Sequence, residues 1–179
     1  MQPIKTERLI LRPLSVEDKP AIFYNIANDE EVLKYYIMNY EDDIDDFSLD
    51  VILDYYVRTG KFCFAIELQD NKTVIGMIHE CATRFEDPNE VEIGYAIGKK
   101  YWNKGYTTEA LKAFIDFLFS QGRSKIDASF ITENVASGRV MEKCQMTFEN
   151  AIEKNSLYYR GQYFDTRNCF IVNEGLEND

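Results

Sequence analysis

The sequence predicts an α+β fold in a single domain, residues 1–179, from three observations. Short β-rich runs follow one another through the middle of the chain, with a strongly amphipathic helical segment close behind them. No Pro-, Gly- or Ser-rich linker divides the chain and no internal repeat appears, which supports one compact unit of mixed α and β elements. The chain has 179 residues, of which 45% are hydrophobic and 14% aromatic, enough to fill one sizeable core.

Residues 7–14 (ERLILRPL) read as a first strand, and Ser15 with Asp18 three residues later suits a helix start before Ala21, Ile22 and Ile26. A short helix near residues 30–36 follows. A longer one spans 42–58, with Ile44, Phe47, Val51, Ile52 and Tyr55 at helical spacing. Residues 61–68 and 74–80 are β-rich runs joined by the polar turn Gln69-Asp70-Asn71-Lys72, and 90–97 completes a meander. The clearest helix is 106–121: Ala110, Phe114, Phe117 and Leu118 share a face with Leu111 and Ile115, and Gly122 ends it. A strand at 125–131, a helix at 134–144 and two closing strands at 146–149 and 163–172 complete the chain.

Thirty-one Asp and Glu stand against 20 Lys and Arg, a net charge of −11. That balance argues against a nucleic-acid groove, whose affinity rests on clustered cations, and favours a cationic partner. Cys63, Cys81, Cys144 and Cys169 are scattered without close pairs, so they read as small buried thiols and not as a metal or redox motif. The first residues carry no apolar targeting segment and no run approaches the length of a membrane span, so a cytoplasmic protein without membrane association is expected.

Residues 91–109 join an apolar strand, a polar turn with Lys99, Lys100, Asn103, Lys104 and Gly105, and the start of the strong helix. The first N–H groups of a helix lack intrahelical partners and carry partial positive charge, so a pyrophosphate can satisfy them. Gly105 permits close backbone approach. The same letters also serve an ordinary strand-turn-helix connection.

Three blocks narrow this choice. Glu92-Ile93-Gly94-Tyr95 followed by Tyr101-Trp102-Asn103-Lys104-Gly105-Tyr106-Thr107-Thr108-Glu109-Ala110 closely resembles the acetyl-CoA motif of the GNAT superfamily of N-acetyltransferases, especially its ribosomal-protein N-terminal (Rim-type) branch. Glu133-Asn134-Val135-Ala136-Ser137-Gly138-Arg139-Val140-Met141-Glu142-Lys143 resembles that branch's Asn-x-x-Ser helix, and Thr6-Glu7-Arg8-Leu9-Ile10-Leu11-Arg12 its first strand. The resemblance implies a mixed central sheet of six or seven strands with helices on both faces. A splayed strand pair would hold acetyl-CoA, the acyl donor. Trp102 and Thr107 depart from the superfamily's usual letters, and Gln145 stands where the family has a glycine at positive φ.

By the same resemblance, Tyr95 and Ile97 face the pantetheine arm, with a backbone N–H near Ile97 polarising the thioester. Trp102, Asn103, Lys104, Gly105, Tyr106, Thr107 and Thr108 cradle the phosphates. Ser137 is the candidate acid for the leaving thiolate, and Asn134 orients the cofactor or a water through its amide; both also suit a helix cap. The residue where other subgroups place a Tyr acid is Met141 here. Glu92 is the candidate base, through a water, with Glu80 second, although Glu92 also suits a structural carboxylate. His79, the only histidine, reads as structural.

The acidic run at 41–46 falls near the helical pair that, in the resembling fold, borders the acceptor entrance, and it also suits a helix N-terminus on a solvated face. Tyr35, Tyr36, Tyr40, Tyr158 and Tyr159 could line an acceptor pocket, or fill a core or subunit interface. The expected activity is transfer of an acetyl group to a primary amine, probed against the alternative of a catalytically silent acyl-CoA-binding or interaction domain. Either a monomer or a homodimer is compatible with the sequence.

Overall fold

The structure is a computed structural model that describes residues 2–81 and 85–176. The chain divides into two compact units, Met1–Glu80 with Gly94–Phe114, and Cys81–Ile93 with Ile115–Asp179.

In the first unit, β1 (Ile4–Lys5), β2 (Leu9–Pro13), β3 (Cys63–Leu68), β4 (Val74–Glu80) and the second half of β5 (Glu90–Ile97) follow in that order across the sheet. The pairs β1/β2, β2/β3 and β3/β4 are antiparallel. Between β2 and β3 run α1 (Lys19–Ile22), continued by a wide π turn at Phe23–Ala27, then α2 (Glu30–Leu33) and α3 (Leu49–Thr59). Alternation on β3 sorts the two faces. Cys63 and Ala65, with Met77 of β4, join Ile22, Ile26, Leu33 and Leu49 of the helices in one core. Phe64, opposite in phase, meets Phe114 of α4 (Tyr106–Ser120) edge-on at 5.6 Å. Helices on both faces of the sheet follow directly.

Ser15 opens the first helical turn as expected, its N–H donating to Asp18 Oδ2 at 3.0 Å. Asp18 is buried, and that charge is balanced by Arg12, whose guanidinium donates to both its oxygens at 2.7 and 2.8 Å and to Glu67 at 2.8 Å. These partners hold the Asp18 carboxyl below its ordinary value against the opposing effect of burial.

The helix expected over 42–58 begins instead at Leu49. Asp43 turns the preceding chain on itself: its Oδ1 accepts from Asp45 N–H at 2.9 Å and its carbonyl from Asp46 N–H at 3.2 Å. Such local bonds compete with helix formation, and the repulsion within the acidic run adds to them. The run therefore lies ahead of α3 and outside its first turn.

In the second unit the order is β5, β6 (Lys125–Ile131), β8 (Gln162–Val172), β7 (Thr147–Tyr159), with β5/β6 parallel and the others antiparallel. The chain thus carries eight described strands, not six or seven, the extra one being the two-residue β1. β7 runs ten residues past the expected 149 because it is an edge strand exposed along almost its whole length, so no apolar alternation marks it.

α5 (Val135–Lys143) is capped by Asn134, whose Oδ1 accepts from Ser137 N–H at 3.3 Å. It closes in a paired turn, Gln145 N–H to Glu142 O at 2.9 Å and Met146 N–H to Met141 O at 3.2 Å, with Gln145 at φ 63°. A Cβ on Gly138 would lie 2.9 Å from the Phe130 ring, so the glycine lets α5 settle onto β6. Cys63, Cys144 and Cys169 are buried as expected, but Cys81 is partly exposed.

Candidate active site

β5 leads into the cradle. Burial alternates strictly from Glu90 to Ile93 and then slips: Gly94 and Tyr95 are both part-exposed, Ala96 and Ile97 both buried. A short 3₁₀ turn, Lys99–Tyr101, follows. Trp102 then folds back, its indole N–H donating to the Ile97 carbonyl at 2.8 Å. The departure from the family's usual letter at this position thus has a structural use: the side chain staples the turn closed.

Asn103 and Gly105 both take the left-handed conformation, at φ 60° and 80°. Asn accepts that region more readily than most residues, which is the signal the sequence offered at 103. The first intrahelical bond of α4 runs from Glu109 N–H to Gly105 O at 3.0 Å, so the amides of Tyr106, Thr107 and Thr108 stand ahead of it. A turn of this shape gathers backbone N–H groups into a concavity suited to an anion, and the helix dipole reinforces it. The residues present fit the diphosphate of an acyl-CoA. Lys104 and Gly105 are exposed and Thr107 part-exposed at the helix start. Beside this turn Lys99 and Lys100, with Tyr24, Asn25 and Asp29, line a cleft of about 430 Å³.

Of the acid-base candidates, Glu80 and His79 belong to the first unit. Glu80 is fully buried, its Oε2 accepting from Phe62 N–H at 2.7 Å, so one carboxylate oxygen is committed to holding the start of β3. His79 Nδ1 lies 3.2 Å from the Glu80 carbonyl, which only accepts; the ring proton is therefore on Nδ1, and Nε2 accepts from the Tyr36 hydroxyl at 2.8 Å. Burial lowers the His79 value to about 4, the Glu80 carbonyl opposing in part, so the ring is neutral near neutrality. Gly76 was missed in the sequence: a Cβ there would lie 2.2 Å from the Ala96 carbonyl oxygen, so β4 and β5 approach closely only because the side chain is absent.

Glu92, Asn134 and Ser137 belong to the second unit. Ser129 Oγ donates to Glu92 Oε1 at 3.2 Å, which orients a part-exposed carboxylate on the face opposite Val91 and Ile93. Asn134 spends its amide oxygen on the cap of α5, leaving its NH₂ outside that bond. Met141 is buried with its sulfur 3.3 Å from Cys169 Sγ, so this position faces the core. Of the tyrosines, Tyr35 and Tyr36 are part-buried just after α2, Tyr40 is exposed, and Tyr158 sits near the tip of the β7/β8 hairpin, its ring tilted against that of Tyr163 with centroids 4.9 Å apart. Tyr159 follows it, part-buried.

The turn at 102–105 thus sits directly behind the strand end that carries Tyr95 and Ile97, and ahead of the N-terminus of α4. The chain belongs to the GNAT acetyltransferase family: the profile described as Acetyltransferase (GNAT) domain matches residues 8–147. Among relatives, it is 31% identical over 175 residues to the uncharacterized N-acetyltransferase YoaA of Bacillus subtilis (strain 168), covering 94% of this chain and 96% of that one. In fold it is similar to the ribosomal-protein-S5-alanine acetyltransferase of Vibrio fischeri, with TM-score 0.81 at 18% identity, covering 97% of this chain and 98% of that one. It is similar also to the spermidine N-acetyltransferase of Vibrio cholerae, solved with CoA and spermine, with TM-score 0.79 at 20% identity over 93% and 96% of the two chains. The protein is thus an acetyl-CoA-dependent acyltransferase, and ribosomal-protein acetyltransferases are among its structural neighbours. No described helix is long and apolar enough to cross a membrane.

Proposed function

We propose that the protein transfers the acetyl group of acetyl-CoA to a primary amine, a protein N-terminus, a polyamine or another small cationic amine, by direct attack in a ternary complex. The observation that carries this reading is the turn at 102–105, where left-handed Asn103 and Gly105 lead into the N-terminus of α4. The amine nitrogen attacks the thioester carbon, the C–S bond breaks, and the proton leaving nitrogen passes to Glu92 through a water. The departing thiolate takes a proton from Ser137, which solvent then restores. Positioning supplies most of the acceleration.

A net charge of −11 favours the approach of a cation, and the acidic run at 41–46 adds to that field. Two proteins of the same fold are a spermidine and an S5-alanine acetyltransferase, which supports an acceptor of that class. Four free thiols accord with a reducing, cytoplasmic setting.

Release of CoA thiol with a panel of amines tests the reading. Polyamines and basic N-terminal peptides are expected to outcompete neutral amines at low salt, with the advantage shrinking as salt rises. Equal turnover of cationic and neutral amines would remove the charge argument. CoA binding without thiol release for any amine would leave a silent binding domain.

A further inference from the structure

The cradle is tied to the beginning of the chain. Arg8, one residue ahead of β2, reaches the first turn of α4, its Nε and Nη2 each 2.7 Å from Glu109 Oε2. Its Nη1 donates to the Lys104 carbonyl at 2.9 Å. The other oxygen, Glu109 Oε1, accepts from the Arg8 backbone N–H at 2.7 Å and from the Thr6 hydroxyl at 2.6 Å. The guanidinium carbon lies 4.6 Å from the centre of the Tyr106 ring, and Nη2 is 3.3 Å from where a Cβ on Gly105 would stand. A guanidinium with two nitrogens on one carboxylate oxygen, a third on a backbone carbonyl and its plane near a ring is held in one place.

Two consequences follow for an anion at the turn. The peptide joining Lys104 to Gly105 is planar and trans, so drawing its carbonyl onto Arg8 aims the Gly105 N–H to the opposite side. The second concerns charge. Glu109 places a full negative charge in the turn whose dipole attracts phosphate, and Arg8 neutralises it at hydrogen-bond distance.

We propose that Arg8 is a positioning residue for the diphosphate of the acyl donor, aiming the Gly105 N–H and cancelling the repulsion of Glu109. The inference rests on the reading of residues 102–107 as the diphosphate site.

The test compares two donors, acetyl-CoA and S-acetylpantetheine, which lacks the diphosphate. Arg8→Ala is expected to weaken acetyl-CoA, read as KM and as CoA Kd, by ~10-fold or more, the scale of a lost charge-assisted bond. The amine KM and the rate with S-acetylpantetheine should hold. Arg8→Ala with Glu109→Gln should recover part of the lost affinity, because the unneutralised carboxylate is then gone. An equal loss with both donors, or a double variant no better than Arg8→Ala alone, overturns the proposal, as does an unchanged CoA Kd. If the unaltered protein shows no preference for acetyl-CoA over S-acetylpantetheine, the diphosphate reading itself fails. If that preference survives Arg8→Ala, only the role of Arg8 does.

Discussion

Trp102 donates its indole N–H to the carbonyl of Ile97 at 2.8 Å, joining the first residue of the cradle to the last residue of β5. The bond fixes the turn between the strand that would meet the pantetheine arm and the loop that would meet the phosphates. Trp102→Phe keeps an aromatic ring but removes the donor, at a cost of ~1 kcal/mol in turn stability. The expected kinetic signature is a several-fold rise in the KM for acetyl-CoA with the amine KM unchanged. Steady-state kinetics with each substrate varied in turn decides it, and an amine-side effect would contradict this assignment.

Gly76 faces the Ala96 carbonyl so closely that a Cβ would sit 2.2 Å from the oxygen. The obstacle is backbone, so it cannot rotate aside. Gly76→Ala should lower the unfolding free energy by ~1–3 kcal/mol, the usual range for overpacking, or shift β5 enough to impair acetyl-CoA binding. Urea denaturation and a CoA titration on the same variant would show one loss or the other; neither loss would mean that the strands separate freely.

Elements whose pattern reports burial were legible in the sequence. β5 and β6 occupy the expected residues because their inward positions are apolar, and α4 differs from expectation by one residue at its end. The start of α3 was misread because Ile44 and Phe47 continue a helical spacing through a segment that Asp43 folds into a turn. The outer part of β7 was illegible because both its faces are largely exposed. In the candidate site, Asn103 and Gly105 announce their own backbone geometry. Arg8 and Glu109 do not, since residues 101 apart meet only through the fold and neither carries a local signature of the pairing.

Gln145 pays a conformational penalty at φ 63°, as expected for a side chain where a glycine belongs. The turn it serves is otherwise complete, with both closing hydrogen bonds of α5 formed. Gln145→Gly should therefore stabilise the protein by ~1 kcal/mol and leave kinetics untouched. A rise in the urea midpoint at constant slope is the expected result, and a fall would show that the glutamine side chain contributes more than the backbone strain removes.

Glu92 and Ser137 are separable by what each substitution should spare. Glu92→Gln preserves the bond from Ser129 but removes the base, so kcat should fall by ~10²-fold or more while CoA Kd stays constant. Ser137→Ala leaves the Asn134 cap intact, because the cap uses the backbone N–H of Ser137, so the loss expected from the missing acid is read on kcat. An unchanged rate in the double variant would leave the proposed mechanism without its acid and base.

His79 supplies a test of the part-buried polar cluster in the first unit. Its ring lies among Tyr36, Tyr56 and Cys63, with Nδ1 at the Glu80 carbonyl and Nε2 at the Tyr36 hydroxyl. Burial lowers its value from the ordinary 6.5 to about 4. The unfolded chain therefore binds the proton first as pH falls, and stability is lost progressively between pH 6.5 and about 4, with no contribution from this residue above that window. The paired carboxylates of Asp18 and Glu109, both held below their ordinary values, lose their contributions progressively as pH falls from those ordinary values to the depressed ones, largely below the His79 window. Urea midpoints measured across the window should decline in the unaltered protein, with uptake of about one proton on unfolding. His79→Gln can still accept from Tyr36 and donate toward Glu80, but it does not titrate, so its decline should be shallower. Parallel pH curves for the two proteins would show that His79 is charged in the fold, which the one-way chain of hydrogen bonds from Tyr36 through His79 to Glu80 does not allow.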